Sequence, residues 1–160
     1  MSKSVYMAGT MTDRKDRGRS WRVRLGNWLE ERGEEVFSPP DRELELFTKY
    51  DIPPSVLYQN SNKVSPSVKG ELLGDILDFD LDQIEYHTKY CIFFINEISW
   101  GTAGELTYAL RLRIPVYIVT KMQLKSFAAA RPKGSKVRIF QSFDQLKTFL
   151  KYTYGLRVKK

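Results

Sequence analysis

The chain of 160 residues has a single cysteine, Cys91, and a single histidine, His87. One cysteine excludes an internal disulfide, and the pair together excludes a His/Cys metal cluster. No apolar run approaches the ~20 residues that a membrane helix needs. The opening residues, MSKSVYMAGT, hold no apolar signal-peptide core, and Ser2 stands where N-myristoylation requires glycine. These readings give a cytoplasmic protein without a membrane segment as the expectation. No G-x-G-x-x-G dinucleotide fingerprint, no G-x-x-x-x-G-K-[ST] phosphate loop and no Gly-x-Ser-x-Gly elbow occurs. An ordinary P-loop kinase and a Ser-His-Asp hydrolase are therefore disfavoured.

What is present belongs to one ordinary domain, residues 1–160. Hydrophobic residues make up 42% of the chain, and 9 Phe, 9 Tyr and 3 Trp argue against disorder. The net charge of +7 is unevenly spread. Residues 41–120 hold 7 basic and 12 acidic side chains, whereas 121–160 hold 11 basic and 1 acidic. A basic segment of that kind suits an anionic ligand or partner, or is a solvated surface.

Strands and helices alternate. Ser4–Ala8 reads as a strand ending at Gly9. Gly18–Arg32 has helical spacing through Trp21, Leu25, Trp28 and Leu29, with Gly33 as its stop. Glu35–Ser38 is a second strand, ended by Pro39-Pro40. Lys69–Thr88 is an amphipathic helix, and Tyr90–Ile95 is an apolar run of buried-strand length. Thr102–Arg113 is a helix, Pro115–Val119 a fourth strand, Lys136–Phe140 a fifth, and Asp144–Tyr152 a last helix. Such alternation predicts an open, doubly wound, Rossmann-like α/β domain: about five parallel strands with helices on both faces. Residues 41–67 show no clear period and contain Pro53, Pro54 and Pro66. A connection of that length reads as a lid or an insertion.

Ligands in this architecture sit at the carboxyl ends of the strands. Gly9 and Thr10 follow strand one, where a glycine lets a ligand approach the backbone. After strand three, Ser99, Gly101, Thr102 and Gly104 make a small-residue turn into a helix. Free N–H groups at such an end attract anions. Glu105 is read in the first turn of that helix, where the macrodipole favours its ionised form. It is a candidate nucleophile or a helix-capping carboxylate. On the wheel of the 69–88 helix, Leu73, Ile76, Leu77 and Ile84 form one stripe, and Asp80 falls near its middle. Glu71, Asp75, Asp78, Asp82 and Glu85 lie away from it. An inward carboxylate is costly unless paired, so Asp80 is either a satisfied core residue or a functional group. Together, Glu105 and Asp80 can divide nucleophile and general-acid work in glycosyl-bond cleavage. His87 reads as a charge partner at a helix end, and Cys91 as packing.

The set VYMAGT (5–10), FDLDQI (79–84), SWGTAGELTYAL (99–110) and IPVYIV (114–119) resembles the nucleoside 2-deoxyribosyltransferase superfamily. Ser99 six residues before Glu105, with Gly101 between, looks most like the branch that hydrolyses 2′-deoxynucleoside 5′-monophosphates. Cytidine monophosphate hydrolases are also similar. The resemblance implies cleavage of the N-glycosidic bond of a (deoxy)nucleoside 5′-monophosphate through a covalent glycosyl-glutamate intermediate, resolved by water or by an acceptor base. It implies Glu105 as nucleophile, Tyr6 as the residue orienting it, and Asp80 as the group that handles the leaving base, with Asp82 as fallback. Gly9 and Thr10 then lie beside sugar and base, Ser99 and Gly101 beside the phosphate, and Ser126 of a neighbouring subunit reaches the phosphate. Arg14, Lys15 or Arg17 adds charge. A homodimer or larger homo-oligomer is implied, and no metal or cofactor. Ser99 stands where nucleoside-specific transferases often carry a carboxylate, which argues for a nucleotide. Thr88-Lys89 and the 41–67 insertion depart from the family pattern. Two other readings remain: a non-catalytic nucleotide- or nucleic-acid-binding module, and an NAD- or nucleotide-cleaving enzyme of related fold. The basic segment carries no nucleic-acid reading motif, so nucleic acid is not the favoured partner.

Overall fold

The computed structural model describes residues 3–9, 16, 18–53, 65–97, 99–122 and 133–159. Five strands, β1 (Ser4–Gly9), β2 (Val36–Phe37), β3 (Thr88–Phe94), β4 (Val116–Val119) and β5 (Val137–Phe140), form one sheet. Its order is β2-β1-β3-β4-β5 and every pairing is parallel. Around it stand α1 (Arg19–Glu30), α2 (Pro39–Lys49), α3 (Pro66–His87), α4 (Trp100–Arg111) and α5 (Phe143–Tyr154). The domain is a doubly wound α/β fold with helices on both faces, as the alternation predicts.

Side chains of a strand alternate between faces, and β1 buries both. Val5 and Met7 pack with Trp21, Leu25 and Leu29 of α1 and Leu146 and Leu150 of α5. Tyr6 and Ala8 pack with Ile84 of α3 and Leu106, Ala109 and Leu110 of α4. Burial on both sides explains why β1 and β3 read as continuous apolar runs. The chain crosses from β1 to β2 on one side of β1, and returns to β3 on the other. The crevice between the carboxyl ends of β1 and β3 is therefore the topological switch point.

Several local expectations need correction. Pro39-Pro40 does not merely end a strand: both prolines occupy the first positions of α2, where their missing N–H groups cost nothing. Residues 39–49 are thus helix rather than the start of a long loop. Phe47 and Ile52 are buried against Leu72 of α3, and Tyr50 donates a hydrogen bond to Asp75 at 2.8 Å. Residues 54–64, including Tyr58, lie outside the described residues, as does the question of a lid there. Helix α3 begins at Pro66, three residues earlier than its periodicity indicates, because Ser65 caps it by accepting from the Val68 N–H. The stripe on α3 is only partly internal. Asp80 and Ile84 are buried, but Leu73 and Leu77 are about half exposed at 51% and 50%. The cause is a change of neighbour along the helix. In the amino-terminal half Leu72 is fully buried against Phe47 and Ile52, with Ile76 packed beside it, so that side of α3 turns inward and Leu73 and Leu77 are left outward.

Candidate functional site

Side chains from three elements gather around β1. The Tyr6 hydroxyl, from β1, donates to Glu105 Oε1 of α4 at 2.7 Å. Tyr6 has no exposed surface, and its phenol is held well above the usual range. Burial is the largest cause, followed by the charges of Glu105 and then of Asp80. The Asp80 carboxyl, buried on α3, is thus near enough for its charge to raise the same phenol. Asp82, two residues on, is exposed.

Glu105 sits in this position because of the turn of α4. Thr102, Leu106, Ala109 and Leu110 face the sheet, and Glu105 borders that buried side and is itself half-buried. It is the sixth residue of the helix, not part of the first turn. The helix starts at Trp100, earlier than the small-residue turn suggests. The macrodipole argument is weakened accordingly, since the effect fades beyond the first turn. The capping role fails on the same count: in a capping box the acidic partner stands three residues after the cap, and that position is Thr102.

Ser99 is the N-cap of α4 in extended conformation, and its hydroxyl makes no capping hydrogen bond. Gly101 is exposed, with Ser99 Oγ 4.0 Å from where a Cβ would stand. Gly9 ends β1, and a Cβ there would lie 2.7 Å from the Phe94 carbonyl oxygen and 3.2 Å from Trp21. Packing of β1 on β3 alone demands glycine at that point. Thr10, Ser126, Arg14, Lys15 and Arg17 lie outside the described residues.

His87 ends α3, immediately before β3 begins, at the amino ends of the strands. It therefore belongs to the end of the sheet opposite the crevice, as its reading as a helix-end residue requires. Cys91 pairs in register with Tyr6 and is buried. Burial, and then the Glu105 charge, push its thiol well up. It is an uncharged packing residue beside the site.

Sequence reasoning missed three features. Phe37 of β2 stacks on Tyr6, with ring centroids 5.4 Å apart and planes 14° apart. Phe79 meets Phe37 in turn at 5.7 Å. The third is Arg22, whose buried guanidinium donates to Gly9 O at 2.7 Å, Gly18 O at 3.1 Å and Met7 O at 3.3 Å. Strand β2 pairs only with Val5 and Tyr6. Arg22 supplies donors to the β1 carbonyls beyond the point where β2 stops, satisfying acceptors that a buried edge would otherwise leave open. An arginine on the inner face of α1 was the available signal.

A separate cavity of about 340 Å³ opens between α1, β2 and α2, with Met7, Arg22, Val36 and Phe37 among its walls. Among the described residues, no group of three or more His, Cys, Asp and Glu side chains is arranged to hold a metal ion. No helix among them is long and apolar enough to cross a membrane. The arrangement can present one carboxylate, oriented by a buried phenol, to an electrophilic carbon, with a second carboxylate at hand for proton transfer. No protein-family model matches the chain, and no curated protein matches it.

Proposed function

We propose that the protein cleaves the N-glycosidic bond of a nucleoside or 2′-deoxynucleoside 5′-monophosphate. The observation that carries this reading is the buried Tyr6 hydroxyl donating to Glu105 at 2.7 Å, with Asp80 close enough for its charge to raise the same phenol. A hydrogen bond from a tyrosine favours the ionised carboxylate and fixes its direction.

In the proposed reaction a Glu105 carboxylate oxygen attacks C1′. The C1′–O bond forms as the C1′–N bond breaks, and the electron pair of the broken bond leaves with the base. Asp80 manages the proton at the departing nitrogen. The glycosyl ester on Glu105 is then opened at C1′ by water, which gives a sugar phosphate, or by a second base, which gives a new nucleotide. Ser99 and Gly101, at the start of α4, are the proposed phosphate end of the site, since backbone N–H groups at a helix start favour anions. Gly9, at the end of β1, is the proposed neighbour of the sugar. The chain's residues supply the nucleophile and the acid in this scheme, so no cofactor is assigned. The proposed state is a homodimer or larger assembly, supported by Leu73, Leu77 and Trp100, which are exposed at 51%, 50% and 92%. A single buried, unpaired cysteine suits a reducing, cytoplasmic setting.

The test is base release. The protein is incubated with each common ribo- and deoxyribonucleoside 5′-monophosphate, with and without an acceptor base, beside Glu105→Gln. Free base without acceptor makes it a hydrolase; a new nucleotide only with acceptor makes it a transferase. In either case Glu105→Gln is expected to lose at least a hundredfold in rate. Full activity in that variant removes Glu105 as nucleophile, and no product from any monophosphate overturns the reading.

A further inference from the structure

Strand β2 is only two residues long and lies at the edge of the sheet. Its second residue, Phe37, pairs in register with Tyr6, and Tyr6 pairs with Cys91 on its other side. Phe37, Tyr6 and Cys91 therefore stand in one row across the sheet, on the face covered by α3 and α4. Cys91 is small and buried, and Phe37 presents a nearly parallel ring to Tyr6 at 5.4 Å. Phe79, one residue before Asp80, meets Phe37 with rings 5.7 Å apart and tilted by 37°. Phe37 is itself only partly buried and borders the 340 Å³ cavity. A residue so placed gains less from burial than its neighbours in the core do. Its best-defined contacts are the two rings.

We propose that Phe37 and Phe79 are positioning residues, a two-ring bracket that holds the Tyr6 ring so that its hydroxyl stays on Glu105. The bracket also joins Tyr6 to the turn of α3 that carries Asp80. A productive site tolerates orientation errors of only roughly 10–20°. The Tyr6 hydroxyl stands at the far end of the side chain, where a tilt of the ring moves it most. Its hydrogen bond to Glu105 has the ordinary length of 2.7 Å, and a tilted ring changes both its length and its direction. The roles given to Tyr6, Glu105 and Asp80 rest on the proposed glycosidase reading; the mechanical coupling of the rings to the hydrogen bond does not.

Phe37→Leu keeps an apolar side chain and removes the stacked ring. Two readouts are taken on the full chain. The first is the titration of the Glu105 carboxyl carbon by NMR, which needs no substrate. The second is kcat and KM for whichever monophosphate the wild type cleaves. The expected result is a Glu105 midpoint moved upward, kcat lower by about tenfold and KM within twofold. Phe37→Tyr, which keeps the ring, should behave as the wild type. Phe79→Leu should move both readouts the same way by less, and it carries the test if Phe37→Leu does not fold. A Glu105 titration unchanged in both leucine variants overturns the proposal. A moved titration in a protein that cleaves no nucleotide upholds the bracket and overturns the glycosidase reading, so the two failures are distinguishable.

Discussion

Replacing Tyr6 with Phe removes one oxygen atom and, with it, the hydrogen bond to Glu105. Both partners sit where little water competes: Tyr6 has no exposed surface and Glu105 is half-buried. A hydrogen bond to a charged group contributes about 1.5–3 kcal/mol. That energy favours the ionised carboxylate, because the neutral acid accepts a weaker bond. Its loss therefore raises the Glu105 pKa. If ionised Glu105 is the nucleophile, kcat/KM falls on the acid side as that carboxylate takes up a proton. The acid limb of the profile should therefore move to higher pH in Tyr6→Phe, and kcat/KM below the limb should fall by about tenfold to a hundredfold. Activity well above the limb should fall less than activity near it. The assay is base release across pH, paired with the NMR titration of Glu105 in the same variant. An acid limb that stays in place, or moves to lower pH, would refute the reasoning. So would a limb that moves while the Glu105 titration does not, since the shift would then belong to another group.

Among the described residues the buried Tyr90 hydroxyl has no hydrogen-bond partner, so Tyr90→Phe should stabilise the protein by ~1 kcal/mol, read as a Tm higher by about 2–4 °C; a fall would contradict it. Gly9→Ala should lower stability by about 1–3 kcal/mol, because the new Cβ meets a backbone oxygen at 2.7 Å and cannot turn aside; an unchanged denaturation midpoint would show that β1 and β3 can part freely. Leu73→Glu combined with Leu77→Glu should reduce the molar mass measured by light scattering to that of a single chain, while the circular dichroism stays that of the wild type; the same mass in both proteins would remove this face of α3 as a subunit contact.

The parallel sheet was legible because its strands are buried on both faces. VYMAG and YCIFFI carry no polar alternation, and between helical segments that composition suits a strand buried on both faces. Asp80 was legible for the opposite reason, as a single charge on an apolar stripe. Tyr6 was visible only through the resemblance. Nothing in its local pattern separates a tyrosine that bonds a carboxylate from one that fills a core. Its significance arises from a contact spanning 99 residues, which no local period can encode. Phe37 was hidden for the same reason: a two-residue edge strand has no period, and its partner row is set by register.

Helix α3 makes the limit of periodicity concrete. Leu73, Leu77, Asp80 and Ile84 share one stripe on the wheel, so the pattern treats them as one face with one fate. The structure divides that face along the helix: Ile84 and Asp80 are buried, while toward the amino terminus Leu72 and Ile76 turn inward against Phe47 and Ile52 and leave Leu73 and Leu77 half exposed. Periodicity reports direction around a helix, but which direction is inward depends on the neighbour at each point along it. An ionised group sealed in the core costs several kcal/mol, and Asp80 is buried yet near enough to Tyr6 for its charge to act on the phenol. The same change of neighbour that misleads a wheel lets one helix carry a core residue, a candidate functional carboxylate and an apolar outer face along a single line.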